Sequence, residues 1–424
     1  MTLRSDKTSA AWDNFNRFWA SQSCAQAAGQ VLYFAYPLIA ASLLELGPAQ
    51  IAITTSLQFL PTLLMTPVGG LIVDRVNRRP LLLFCHLGRA GLLAAAAVAA
   101  AADQLPTPLF WVLVACTGAI SSVADLATLA VIPQVSPEGE ILAANSKMQL
   151  TFSVAQVLGP AAAGLLIGLS GAGVLGAVAG IFTIGALLSL RARLHTELRV
   201  TTDEPWRTRF TRGASVVRRN PLLRALLVQG ALFNFFEQAL ITLYLVFALR
   251  TLGMSTSAVG ILLGLGAAGS VAGAALAARL SDRIRRTRLV ALAMGFASIA
   301  PCVLPLSPHG SPSLAGAMAA FAFLAYGVGL TVYNVHSIAI RHESVDAEYQ
   351  GRVGAVYRFF AYGGTALGAA FAGWLTTWWD AQSAMWIPCA GLLAALLLFV
   401  GSLRRIEAPG PAGDRTPESA GTPA

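Results

Sequence analysis

The sequence predicts an all-α membrane protein of twelve transmembrane helices, arranged as two pseudo-symmetric six-helix bundles. Three observations predict it. The first is composition: of 424 residues, 56% are hydrophobic and 12% charged, and the mean hydropathy is +0.65. An average soluble domain carries about 25% charged residues. An ordinary soluble enzyme is therefore excluded, as is disorder outside the ends. The second is run length, because apolar stretches long enough to cross a bilayer, roughly 20 residues, alternate with short polar breaks. The third is an internal repeat at a shift of about 208 residues.

Taken in order, the predicted spans lie at about 18–42, 50–72, 80–102, 108–132, 148–169, 172–190, 225–249, 257–278, 288–306, 313–336, 354–376 and 383–403. Backbone exposed to lipid must satisfy its own hydrogen bonds, so these runs are helices. The alternating segments of about 10 residues that build a membrane barrel are missing. Residues 1–17 are polar, without the h-region and cleavage site of a signal peptide, and read as a cytoplasmic tail. Residues 18–190 form the first bundle, 191–224 an arginine-rich central cytoplasmic loop, and 225–403 the second bundle. Residues 404–424, rich in Pro, Gly, Ser and Thr, read as a disordered cytoplasmic tail.

Charge sets the orientation. The net charge is +9, from 29 basic and 20 acidic residues. With the N-terminus in the cytoplasm, 26 of the 29 basic residues fall in cytoplasmic segments, only Arg250 falls outside, and Arg89 and Arg358 lie within spans. This is a positive-inside pattern, and it puts both termini in the cytoplasm. The basic balance is thus topology and not a nucleic-acid footprint. The cysteines (Cys24, Cys85, Cys116, Cys302, Cys389) sit singly in apolar runs, with neither metal spacing nor a disulfide framework.

The repeat is carried by particular residues. Asp74-Arg75 with Arg78 recurs as Asp282-Arg283 with Arg286. Gln26 and Gln30 recur as Asn234 and Gln238, and Gly159 and Gly164 as Gly368 and Gly373. The run Gly70-Leu-Ile-Val-Asp74-Arg75-Val-Asn77-Arg78-Arg79 resembles the signature between helices 2 and 3 of the major facilitator superfamily. Ser281-Asp282-Arg283-Ile-Arg285-Arg286 is its weaker copy. Gly159-Pro160-Ala-Ala-Ala-Gly164 in helix 5 resembles the Gly-Pro signature of the family's exporters. Pro61, Asn145-Ser146 and Gly351-Arg352-Val353 are similar to features of the bacterial branch that exports siderophores, macrolides and other metabolites. Asn77 departs from the usual glycine, a mild change because Asn also tolerates left-handed backbone. Helix 4 lacks the arginine that many of the family's proton antiporters use, and helix 5 lacks the upstream glycines of the full exporter signature.

Charges inside a membrane need a reason, since each costs about 2.5–3.5 kcal/mol at the bilayer centre on insertion scales. Arg89, Asp125, Glu237 and Arg358 are the four within predicted spans. Glu237 lies midway between Arg224 and Arg250, with Asn234 and Gln238 beside it. The resemblance implies that helices 1, 4, 7 and 10 line a central cavity. There a carboxyl can exchange protons near neutral pH or attract a cationic substrate; the other reading is a protonated, structurally bonded Glu. Gln22, Gln26 and Gln30 recur at i, i+4 and i+8, which stacks three amides on one face of helix 1. They line the cavity or bond neighbouring helices. Tyr326, Tyr333 and Asn334 are further cavity candidates on helix 10. Arg89 and Asp125 both lie roughly 12–14 Å from the cytoplasmic end at about 1.5 Å per residue, so an ion pair between adjacent helices is expected, either structural or part of coupling. Arg358, near the end of helix 11, can snorkel to the interface.

The two Asp-Arg loops are expected to act as a conformational gate (Gly70, Asp74, Arg75, Arg78, Arg79; Asp282, Arg283, Arg286), with carboxylates accepting from helix N-termini of the opposite half. Gly159, Pro160 and Gly164 let helix 5 bend and pack on that half. No residues suggest catalysis, a metal site or a cofactor, and no phosphate-binding Gly-rich loop is present. The resemblance implies a monomeric exporter of a drug, siderophore or similar amphiphilic small molecule across a bacterial inner membrane. It would work by alternating access, driven by proton antiport. An importer or proton symporter is the alternative within transport. A non-transporting receptor or scaffold is the alternative outside it, against which the midplane Glu237 and the amide stripe argue.

Overall fold

A computed structural model describes residues 2–137, 139–192, 206–281, 284–308 and 311–407, and every element among them is helical. The first half holds α1 (Thr2–Ser42), α2 (Pro48–Arg75), α3 (Arg78–Ala101), α4 (Thr107–Val135), α5 (Ile141–Leu169) and α6 (Gly173–Ser189). After α7 (Trp206–Arg219) the second half holds α8 (Pro221–Val246), α9 (Thr256–Ser281), α10 (Arg286–Ile299), α11 (Pro312–Glu343), α12 (Ala347–Leu375), the short α13 (Ala381–Ala384) and α14 (Trp386–Glu407). A π-helical turn, Phe247–Thr251, extends α8, and a 3-10 stretch, Ala300–Leu306, extends α10.

Each predicted span falls on one of these helices. Among the described residues, 8 helices are long and apolar enough to cross a membrane. Proline sets several starts: Pro48, Pro221 and Pro312 stand in the first turn of α2, α8 and α11, where a missing N–H costs nothing. Asn220 caps α8, its side chain accepting from the amides of Leu222 at 2.9 Å and Leu223 at 3.2 Å.

Three features differ from the expectation. Helix α1 begins at Thr2, so residues read as a tail continue the first helix. The central loop contains α7, whose Gly213 and Val217 are buried while Arg218 and Arg219 stay exposed. Amphipathic helices of this kind bury one face without crossing a bilayer, so a search for apolar runs passes over them. Third, Asn77 has φ −57°, so its position does not need a residue tolerant of left-handed backbone.

The two halves pack alike. In the first, α1 packs on α5, α2 on α4 and α3 on α6; in the second, α8 packs on α12, α9 on α11 and α10 on α14. The halves meet along two seams, α2 with α12 and α5 with α9. At one end of the molecule the seams are tight. A Cβ on Gly164 of α5 would collide with the Thr256 carbonyl and approach Gly260 of α9. A Cβ on Gly373 of α12 would meet Ala52 and Ala49 of α2. The hydroxyls of Thr256 and Ser257 donate to Gly164 O at 3.3 and 3.2 Å. The Arg250 guanidinium donates to the carbonyls of Leu46 and Glu45 across the same end. Small residues let backbones approach this closely, so this end is shut.

Candidate functional site

Between the halves lies a connected set of polar side chains. Glu237 of α8 accepts a hydrogen bond from Tyr326 Oη of α11 at 2.7 Å. Phe233, one turn back on α8, stacks on the Tyr326 ring with centroids 6.4 Å apart and planes 8° from parallel. Tyr33 of α1 reaches across from the first half and donates to Gln238 Oε1 at 3.5 Å. Gln238 Nε2 in turn donates to Thr242 Oγ1 at 3.3 Å. The carboxyl is thus walled by aromatic rings and bounded by amides, with groups from both halves.

The polar set continues beyond Tyr33. Tyr33 interacts electrostatically with both Glu237 and Tyr362 of α12. Tyr362 interacts with Asp125 of α4 and Arg358 of α12, and Asp125 with Arg89 and Arg358. Glu237, Tyr33, Tyr362 and Asp125 therefore form a polar succession that alternates between the halves and crosses the interface three times. Tyr33, Tyr362 and Arg358 were not singled out as site residues from sequence. A signal existed for Tyr33: it lies seven positions beyond Gln26 and so shares the face of the amide stripe. From sequence Arg358 is only an intramembrane charge able to snorkel, and for Tyr362 only the packing of α12 supplies the information.

The predicted residues divide. Glu237, Gln238 and Tyr326 come together as expected. Asn234 does not reach the carboxyl, because its Nδ2 donates to Gly230 O of its own helix at 2.6 Å. Asn334 is exposed, two turns beyond Tyr326. Tyr333 is buried against Phe399, with centroids 6.3 Å apart, and belongs to the core. Of the amide stripe, Gln22 is buried and accepts from Thr128 Oγ1 at 3.0 Å. Gln30 lies under Gly159, whose Cβ position is 2.8 Å from Gln30 Cβ. Gln26 Oε1, Gln22 Nε2 and Gln58 Oε1 are buried without protein partners.

Arg89 and Asp125 do not form the expected ion pair. Arg89 is 4% exposed, donates from Nε to Cys85 O and from Nη1 to Ser121 Oγ, both at 3.1 Å, and lies over the Phe182 ring at 4.2 Å. Asp125, one turn beyond Ser121 on α4, is exposed and not within ion-pair distance. Similar depth on adjacent helices did not ensure contact, because the guanidinium is taken up by Cys85 O, Ser121 Oγ and the Phe182 ring. The guanidinium is held by π-electrons and neutral acceptors instead.

Of the gate residues, three arginines have partners among the described residues. Arg78 donates to Ala130 O at 3.3 Å and Arg79 to Leu190 O at 2.9 Å, and Arg286 pairs with Glu343. Each bond stays within its own half. Arg75 is exposed. Gly70 and Asp74 belong to α2, but their side chains lie outside the described set, as do Asp282 and Arg283 altogether. The arginines thus settle on the nearest carbonyls and acids of their own bundle. Gly159, Pro160 and Gly164 sit where α5 meets both α1 and α9, and the Pro160 carbonyl faces Gly260.

The duplicated bundle and its shared central site match a known architecture. A family profile described as Major Facilitator Superfamily covers residues 18–369. The chain belongs to the major facilitator superfamily. Its members are transmembrane transporters, not enzymes, and this chain is a multi-pass transporter of that superfamily. A Bacillus subtilis (strain 168) member, named Uncharacterized MFS-type transporter YfiS, is 23% identical over 394 residues, 90% of this chain and 91% of its own. Among solved structures, a bacterial homologue of the human lysosomal transporter Spinster, inward-facing and unoccupied, gives a TM-score of 0.72 at 15% identity, covering 95% of this chain and 99% of that one. A bacterial homologue of the iron transporter ferroportin gives 0.71 at 14% identity in its inward-facing state, covering 92% and 99%. The same homologue gives 0.61 at 15% identity in its outward-facing state, with the same coverage. At these identities the major facilitator fold is what is shared.

Proposed function

We propose that this chain is a proton-driven exporter of an amphiphilic small molecule, a drug, siderophore or comparable metabolite, in a bacterial inner membrane. The observation that carries the reading is Glu237, a carboxyl within a helix bundle, bonded to Tyr326 and bounded by residues of both halves. Such a group binds a proton or a cation, but not both, and that exclusion is the basis of antiport. Aromatic rings beside it, Phe233 and Tyr326, suit an amphiphilic cation. The succession through Tyr33 and Tyr362 to Asp125 offers the proton a route toward the open end.

In this reading both termini and the arginine-rich loops face the cytoplasm, and twelve helices cross the membrane. The end shut by Gly164, Gly373 and Arg250 is then the outer face, and the conformation is inward-facing. The higher similarity to the inward-facing ferroportin homologue points the same way. Alternating access follows by rocking the halves about the seams, and Gly164 and Gly260 form the outer closure. The helix 5 Gly-Pro element supports export over import.

The test is transport in inverted vesicles of Glu237→Gln against wild type, with a cationic amphiphile panel and an imposed proton gradient. The expected result is loss of gradient-driven uptake into the vesicles with retained exchange of preloaded substrate. Gradient-driven flux that is unchanged across the panel refutes the proposal, and flux only in the opposite direction assigns the chain to import.

A further inference from the structure

Away from the central site, α10 and α14 enclose a groove of about 840 Å³ on the outer surface of the second half. Its walls are apolar, among them Leu292, Phe296, Val303, Leu396 and Val400, with Phe321 of α11 beside them. Its cytoplasmic mouth carries Arg285, Arg288 and Arg404. We propose that this groove is a binding site for one anionic phospholipid of the cytoplasmic leaflet. The inference rests on the family's membrane fold and on the orientation proposed above, and not on the identity of the transported substrate.

Three observations point to that occupant. Leu292, Phe296 and Ile299 are 54–60% exposed on one face of α10, a face that only lipid suits in a membrane. From Arg288 to Ile299 the helix rises about 16 Å, close to one leaflet of a hydrocarbon core about 30 Å thick. The groove is therefore as long as one acyl layer, with cations where the headgroups lie. Third, the charges at the mouth are unspent. Among the described residues, Arg285, Arg288 and Arg404 have neither a hydrogen-bond nor an ion-pair partner, whereas their neighbour Arg286 is taken by Glu343. One acid, Glu407, is at the mouth, and its carboxylate accepts from the Thr287 hydroxyl. Cations therefore outnumber acids there, and arginine's planar donors match phosphate oxygens.

Gly295 lies in the groove wall, and a Cβ there would have only Leu396 Cδ2 near it, at 3.9 Å. A larger side chain at this position fills the groove without disturbing the core or the arginines. This separates a lipid from a free phosphate, because only a lipid needs the apolar part.

The experiment uses the full chain, purified from mixed micelles containing equal phosphatidylglycerol and phosphatidylcholine, with bound lipid read by native mass spectrometry. Wild type is expected to retain phosphatidylglycerol over phosphatidylcholine by about tenfold or more, since each arginine near an anionic headgroup adds appreciably. The R285Q/R288Q/R404Q variant should lose most of that preference. The control variant R207Q/R218Q/R219Q, equal in charge but altered on α7, should keep it. Gly295→Leu should lose the bound lipid while remaining monodisperse. Equal retention of both lipids by wild type, or an equal effect of the two triple variants, overturns the proposal. So does lipid retained in Gly295→Leu, or displaced by inorganic phosphate, because either result places the ligand at the arginines alone.

Discussion

The two halves share a scaffold and differ in chemistry. In the first half the intramembrane cation Arg89 is buried, holds a carbonyl and a hydroxyl, and rests on Phe182. In the second half the intramembrane acid Glu237 faces the other half and is bonded through one phenol. A buried group with its partners in its own bundle stabilises that bundle. A group whose neighbours belong to both bundles senses their relative position. The duplicated halves therefore share their helix contacts but not their polar residues, one charge bonded within its own bundle and the other set beside both.

This contrast is sharpest in a pair of substitutions. Glu237→Gln is expected to abolish gradient-driven flux, by tenfold or more on the scale of about 1.4 kcal/mol per decade, with thermal stability within about 1 kcal/mol of wild type. Arg89→Ala should do the reverse and lower stability by about 3 kcal/mol, the range for truncating a large buried side chain. Unfolding in detergent and flux in proteoliposomes read both. If Glu237→Gln unfolds the protein, or Arg89→Ala stops transport in stable protein, the division of labour fails.

The scaffold comparison has its own test. Gly118 of α4 packs on the Gln58 carbonyl of α2, with the Cβ position 2.8 Å away. Its counterpart Gly327 of α11 approaches the Gly266 carbonyl of α9 more closely still. Gly327→Ala is therefore expected to cost about 2–3 kcal/mol and Gly118→Ala about 1 kcal/mol, the span of overpacking effects. Matched thermal melts decide the order.

A third test follows from the missing ion pair. Arg89→Gln and Asp125→Asn should add to within about 0.5 kcal/mol in a double-mutant cycle, as residues without direct contact do. A coupling of several kcal/mol would show that the two charges pair after all.

The smallest effect lies in the turns before α6 and α13. Asp380 caps α13, accepting from Ser383 N at 3.0 Å, while the corresponding turn of the first half uses Ser170 Oγ with Gly173 N at 3.3 Å. These amide bonds hold the Asp380 carboxyl below its ordinary value of 3.8. A depressed carboxyl stabilises the fold above the unfolded value and loses that contribution as pH falls through the folded one. Asp380→Ala should cost about 0.5–1 kcal/mol at neutral pH, and the deficit relative to wild type should shrink below about pH 4. Ser170→Ala should show no such pH dependence.

The sequence by itself determined where helices form, which ends carry arginine, that the chain is duplicated, and that Glu237 is an isolated intramembrane acid. These follow from local properties: apolar runs must be helical in lipid, and cations stay on the cytoplasmic side. α7 escaped notice because its apolar face is too narrow to register as a run. Tertiary structure alone decided which polar groups meet. Sequence depth placed Arg89 level with Asp125, but packing sent the guanidinium to Ser121 and Phe182. Tyr33 and Tyr362 joined Glu237 and Asp125 only through the way the two halves come together. The physical reason is common to both cases. Hydropathy and charge fix the position of a residue along the membrane normal, whereas contact depends on rotation about helix axes, which the packing of small residues sets.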